Sequence, residues 1–173
     1  MDGKSVAGRP AGLWRRLAAL SYDLLLVIAL AFAATFALLP LTHGEAILAS
    51  TQGALGLLYR ALLLLLAFGY FGGSWTRSGQ TLGMKAWRIE LRTAAGDRLR
   101  WPAAVARFLL GTGMVILAAL GAWYLRRPVN ALAAAGAAAL VAPLALNFGC
   151  IPFNAARQSL QDHVGGARVL RVP

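Results

Sequence analysis

Acidic and histidine side chains are scarce in this chain. Six Asp and Glu stand against 17 Lys and Arg in 173 residues, and the two histidines, His43 and His163, are far apart. Hydrolytic and metal centres need acid, base or ligand side chains in clusters. No Ser-His-Asp arrangement, paired carboxylates or phosphate-cradling glycine loop can be assembled from so few groups. The chain is therefore expected not to be an enzyme and to hold no metal or other cofactor. Cysteine is down to one, Cys150, so no intramolecular disulfide can form. Near the end of an apolar run it reads as a small buried hydrophobe. Charge of either sign is thin as well, at 13% of residues, with 59% hydrophobic and a mean hydropathy of +0.64. Soluble domains carry roughly a quarter charged residues, which excludes an ordinary water-soluble domain.

What is abundant is long apolar sequence. Four segments stand out, over about 13–39, 53–72, 103–125 and 129–150. The first ends at Pro40 and the second at Gly72-Gly73; the third opens at Trp101-Pro102 and closes at Arg126-Arg127. Crossing a bilayer takes roughly 20 residues at about 1.5 Å each. The fourth, Ala-rich and carrying Pro143 and Asn147, is the least hydrophobic. A cleaved signal peptide is a poor description of the first run: it is longer than the usual 7–15 apolar residues of such signals, contains Asp23 and lacks a small-x-small exit. The expected fold is an all-α membrane protein, one domain over 1–173, with four transmembrane helices in a bundle, a loop over 73–102 and a tail over 151–173.

The net charge of +11 invites a nucleic-acid reading, but the cations flank apolar segments and form no single basic face. With four spans, 14 of the 17 basic residues fall on one side, from Lys4 and Arg9 through Arg77 to Arg157 and Arg171. The 40–52 loop has no Lys or Arg and holds Glu45; only Arg126 and Arg127 oppose the pattern. The positive-inside bias puts both termini and the central loop in the cytoplasm. Within that loop, Trp87, Ile89 and Leu91 alternate with Arg88, Glu90 and Arg92. After Gly96-Asp97 the alternation resumes at Arg98-Leu99-Arg100-Trp101, which predicts a short β-hairpin at the membrane surface. The tail run Arg168-Val169-Leu170-Arg171 pairs with it as another short strand.

A carboxylate inside a span needs a partner or a task. Arg16 and Asp23, seven residues apart, share a helix face about two turns apart. Arg15 is off that face and better placed to meet lipid phosphate. Arg107 enters the third span from the same side and matches the depth of Asp23, so an Asp23–Arg107 pair is expected, with Arg60 as a looser second partner. Such a polar centre of Arg16, Asp23, Arg107 and Arg60 either carries function or fixes helix register. Gly79, Gly83, Gly165 and Gly166 are assigned to turns.

With these residues in view, the chain resembles the RDD family of bacterial membrane proteins. Trp14-Arg15-Arg16-Leu17 followed by Tyr22-Asp23 resembles that family's first Arg-Asp pair. Gly79-Gln80-Thr81-Leu82-Gly83-Met84-Lys85 resembles its Gly-x-Thr-x-Gly signature, and Arg157-Gln158-Ser159-Leu160-Gln161-Asp162 its closing segment. Gln161 stands where the family usually has His, and Gly165-Gly166-Ala167 replaces Ala-Gly-Thr. The resemblance implies the bacterial cytoplasmic membrane and a role in transport.

Two functions follow as expectations. The first is transport of ions or small solutes through the Asp/Arg centre, by an oligomer formed through small residues such as Ala118, Gly121, Ala122 or the Ala131–Ala139 run. The second is a non-catalytic scaffold or assembly protein, its Asp/Arg set structural and its basic loop docking membrane-protein partners or anionic lipid head groups of the bilayer. No nucleic-acid partner is expected. A water-filled cavity at Asp23 favours transport, and a dry pair favours structure.

Overall fold

A computed structural model of the chain describes residues 9–42, 53–126, 130–153 and 158–172. His43, Glu45, Arg127, Arg157 and Lys4 lie outside the described residues. Four long helices are present: α1 (Leu13–Leu38), α2 (Gly53–Arg77), α4 (Trp101–Leu125) and α5 (Ala131–Gly149). Short elements complete the chain: α3 (Leu82–Ala86), β1 (Ile89–Thr93), α6 (Leu160–Val164) and β2 (Ala167–Arg171). A 3-10 turn over Leu39–Thr42 follows α1 where Pro40 interrupts the helical hydrogen bonding.

All four long helices are long and apolar enough to cross a membrane. Their surfaces agree: Leu24, Leu25, Phe32 and Phe36 of α1, Leu57 and Leu65 of α2, and Val115 and Ile116 of α4 are exposed. In water such continuous apolar surface would drive association. The helices pack in the order α1, α2, α4, α5.

Two boundaries differ from expectation. Helix α2 does not stop at Gly72-Gly73 but runs on to Arg77. Gly72 is taken up in packing, since a Cβ there would come 2.9 Å from the Phe68 ring. The true stop is Gly79, at φ +74°, where only glycine is unstrained and where its N–H bonds Ser74 O at 3.0 Å. Helix α4 begins at Trp101, because Pro102 suits the first turn, where its missing N–H costs nothing. Helix α5 carries Pro143 in its interior without breaking.

Gly121 and Ala137 are used within the chain. A Cβ on Gly121 would lie 2.5 Å from Ala137 O, so α4 and α5 meet at backbone distance. Of the small residues expected to mediate oligomer contact, these two join helices of one molecule.

The expected hairpin is half present. Strand β1 forms and its turn closes through Thr93 N–H to Asp97 O at 2.8 Å. Residues 98–100 are not a strand: Leu99 turns into the core at 2% exposure, and Arg100 O already accepts from Ala104 N at 3.0 Å to start α4. The partner of β1 is the tail strand β2, antiparallel, with Ile89 opposite Arg171 and Thr93 opposite Ala167. The other edge of β2 holds the N-terminal segment, through Ala11 N to Val169 O and Arg171 N to Arg9 O, both 2.9 Å. Both terminal segments and the central loop therefore meet at one end of the helices, the sheet end. A small core of Ala11, Ala19, Met84, Ile89, Leu91, Leu99, Ala167 and Val169 closes beneath them against Trp75 and Ala103.

Candidate functional site

Four charged side chains are buried among the described residues: Arg16, Asp23, Arg107 and Asp162. Their formal charges sum to zero, but they do not form the expected pairs. Asp162 takes both arginines. Arg16 Nη1 donates to its Oδ2, and Arg107 Nη1 to its Oδ1 at 2.5 Å. Asp162 is fully buried, and the two arginines are 8% and 7% exposed. Arg16 Nε also donates to Ala11 O at 3.2 Å, and the Arg107 guanidinium lies 5.3 Å from the Trp75 ring centre, a cation–π contact.

Asp162 is held in place by its own short helix. Ser159 caps α6: its Oγ accepts from Asp162 N at 3.3 Å, while Asp162 Oδ2 accepts from Ser159 N at 3.0 Å. That reciprocal box leaves the carboxylate room for the two guanidiniums. Helix α6 is tied in turn to α5, Gln161 N donating to Asn147 Oδ1 at 3.1 Å. Burial pushes the Asp162 carboxyl up, but the Arg107 and Arg16 charges, with the Arg16 and Ser159 hydrogen bonds, outweigh it and hold it at about 2 against an ordinary 3.8.

Asp23 is held by neutral donors. Tyr70 OH donates to its Oδ1 at 2.6 Å, Gly83 N–H to the same oxygen at 2.8 Å, and Thr81 Oγ1 to its Oδ2 at 2.5 Å. Two of these donors serve twice: Tyr70 OH accepts from Leu82 N at 3.2 Å, and Thr81 Oγ1 accepts from Met84 N at 3.1 Å as the cap of α3. The expected Asp23–Arg107 pair is therefore corrected. Arg107 matched Asp23 in depth, but the tail returns Asp162 to that level and supplies a nearer anion. Among the described residues no Lys or Arg lies within 4.0 Å of Asp23.

Gly83 is not a turn residue either. It sits inside α3 against α1, where a Cβ would fall 2.2 Å from Ala19 O and 2.9 Å from Asp23 Cγ. Arg60 is exposed on α2, ten residues before Tyr70, and is not brought to Asp23. Arg15 is half-buried and donates to Trp87 O at 3.3 Å. Lys85 is exposed near the end of α3, and Gly79 O accepts from Leu91 N at 2.8 Å, fixing the loop onto β1.

Three buried polar groups and the half-buried Tyr70 lie in one layer. Asp23 is 15 residues from Leu38, Tyr70 is 17 from Gly53, Arg107 is 18 from Leu125 and Asn147 is 16 from Ala131. At about 1.5 Å per residue each stands roughly 22–27 Å from the far end of its helix. From sequence, no role at this site is assigned to Tyr70, Trp75, Asn147 or Ser159. Only Ser159 carried a signal, an acid three residues on, which is the spacing of a capping box.

The RDD family model matches residues 10–166. No curated protein and no solved structure matches the chain. The matched stretch holds Arg16, Asp23, Thr81, Gly83, Arg107 and Asp162, and with its four membrane-length apolar helices the chain belongs to the RDD family as an integral membrane protein.

Proposed function

We propose that this protein is a non-catalytic scaffold or assembly protein of a bacterial cytoplasmic membrane, with the sheet end in the cytoplasm. The observation that carries this reading is the closure of both buried carboxylates. Both oxygens of each are engaged, those of Asp162 by two guanidiniums and a backbone N–H and those of Asp23 by three neutral donors. Groups so fully engaged hold elements together and leave no free oxygen for a passing solute. What they hold together is the sheet end, where the terminal segments, α3 and α6 are fastened onto the long helices. The orientation follows from the cation surplus at that end. The polar layer would then mark the inner edge of the hydrocarbon, with roughly 22–27 Å of apolar helix beyond it against a core of about 30 Å.

One observation favours transport instead: among the described residues no cation pairs with Asp23, and an intramembrane acid of that kind is a functional candidate. Flux of ions and small solutes into proteoliposomes separates the two. On the scaffold reading, wild type and Asp23→Asn both match protein-free vesicles, and the wild type co-purifies in fixed ratio with another membrane subunit. Flux that exceeds the empty vesicles and vanishes in folded Asp23→Asn would establish transport.

A further inference from the structure

Beyond that reading, and independent of it, three cations at the sheet end form a surface of their own. Helix α3 lies along α1 in the opposite direction. Thr81 is bonded to Asp23, Gly83 touches Ala19, and Trp87 O accepts from Arg15. The stretch 81–87 thus climbs from the buried polar layer back to the start of α1. This brings Arg15, Lys85 and Arg88 together from two elements, Arg15 half-buried and the other two exposed, with Trp14 82% and Trp87 38% exposed beside them.

Arg88 is held in an unusual backbone state. Its φ is +51°, the left-handed region that non-glycine residues seldom occupy. Backbone bonds from both sides keep it there: Arg88 N donates to Lys85 O at 3.1 Å and Arg88 O accepts from Val172 N at 2.9 Å. None of the three cations has an acidic neighbour within 4.0 Å among the described residues. Glu90 is engaged by Arg92, and Asp23 and Asp162 are buried. The cluster is cationic, uncompensated, flanked by indoles and placed just outside the polar layer.

We infer that Arg15, Lys85 and Arg88 bind the phosphate of an anionic phospholipid in the adjoining leaflet, with Trp14 and Trp87 seated among the head groups. Guanidinium and ammonium groups are the phosphate-binding side chains. Indole is favoured at that level of a bilayer, and each cation near an anionic surface contributes roughly a fivefold gain in binding, by the relation of free energy to affinity. A lipid accounts for the indoles and for the height of the cluster, which an acidic soluble partner would not.

The test uses the full chain in nanodiscs of phosphatidylcholine mixed with phosphatidylglycerol, with retained lipid read by native mass spectrometry. Phosphatidylglycerol should be enriched over bulk. Substituting Arg15→Gln, Lys85→Gln and Arg88→Gln together should reduce its relative affinity roughly 10- to 100-fold. Removing the same charge as Arg98→Gln and Arg168→Gln, with Arg126→Gln at the other end of α4, should leave it within about threefold, as distant exposed charges are screened. Lys85→Gln and Arg88→Gln singly, where no folded contact is lost, should each cost about fivefold. No enrichment in the wild type, or equal loss in both triple variants, overturns the site. Displacement of the lipid by inorganic phosphate at constant ionic strength, or equal retention of polyglutamate in pure phosphatidylcholine discs, overturns the assignment to lipid.

Discussion

Asp162, in the last short helix, sits between the guanidiniums of Arg16 and Arg107, which are 146 and 55 residues away along the chain. One carboxylate thereby joins the tail to the first and third long helices. Substituting Asp162→Asn removes the anion that joins two buried cations. Leaving a buried charge without its partner costs about 3–5 kcal/mol. The expected outcome is a large fall in the thermal midpoint in detergent, accompanied by protease access to the tail. Arg16→Gln or Arg107→Gln alone should cost less than Asp162→Asn, since the carboxylate then keeps one guanidinium.

The same residue sets an acid limit. The Asp162 carboxyl is held at about 2, below its ordinary 3.8. A folded-state value below the unfolded one adds stability that is fully present above about pH 4 and is lost as pH falls toward 2. The difference in melting temperature between wild type and Asp162→Asn should therefore be flat above that window and shrink within it. A difference that stays constant down to pH 2 would assign the acid sensitivity to other groups.

Hydropathy and charge placement carried the four long helices and the gathering of cations at one end, because lipid contact and the positive-inside bias act on local sequence. Asp23, Arg16 and Arg107 could be picked out as expensive groups in apolar surroundings. Their partners could not. Depth alone allowed Asp23 to meet Arg107, and nothing local says that Asp162 folds back to the same level or that Tyr70 and Thr81 aim hydroxyls at Asp23. The strand partner of β1 was similarly hidden: the alternation at 98–101 is as regular as that at 168–171, but Leu99 is needed in the core and Pro102 starts a helix.

Asp23 should be replaceable only at a cost in stability. In Asp23→Asn the amide faces the Thr81 hydroxyl, which is already committed to Met84 N, so one buried hydrogen bond is lost or reversed. Destabilisation of about 1–3 kcal/mol is expected, and Tyr70→Phe should cost about 1 kcal/mol. Equilibrium unfolding in mixed micelles measures both.

Gly83 is expected to tolerate no side chain. Gly83→Ala places a Cβ against Ala19 O, a backbone atom that cannot yield, and pries α3 off α1. Overpacking of this kind costs about 1–3 kcal/mol. Gly73→Ala, with nothing within 4 Å of the new methyl, should be neutral or stabilising by up to about 1 kcal/mol. Limited proteolysis of the segment over 78–100 should accelerate in the first variant and not in the second.

The central claim is that the buried charges form two separate joints, one around Asp162 and one around Asp23, and double-mutant cycles on unfolding free energy test it most directly. Coupling between Arg107→Gln and Asp162→Asn should reach about 2 kcal/mol or more, while coupling between Arg107→Gln and Asp23→Asn should stay within about 0.5 kcal/mol. Strong coupling of Arg107 to Asp23, with none to Asp162, would contradict it.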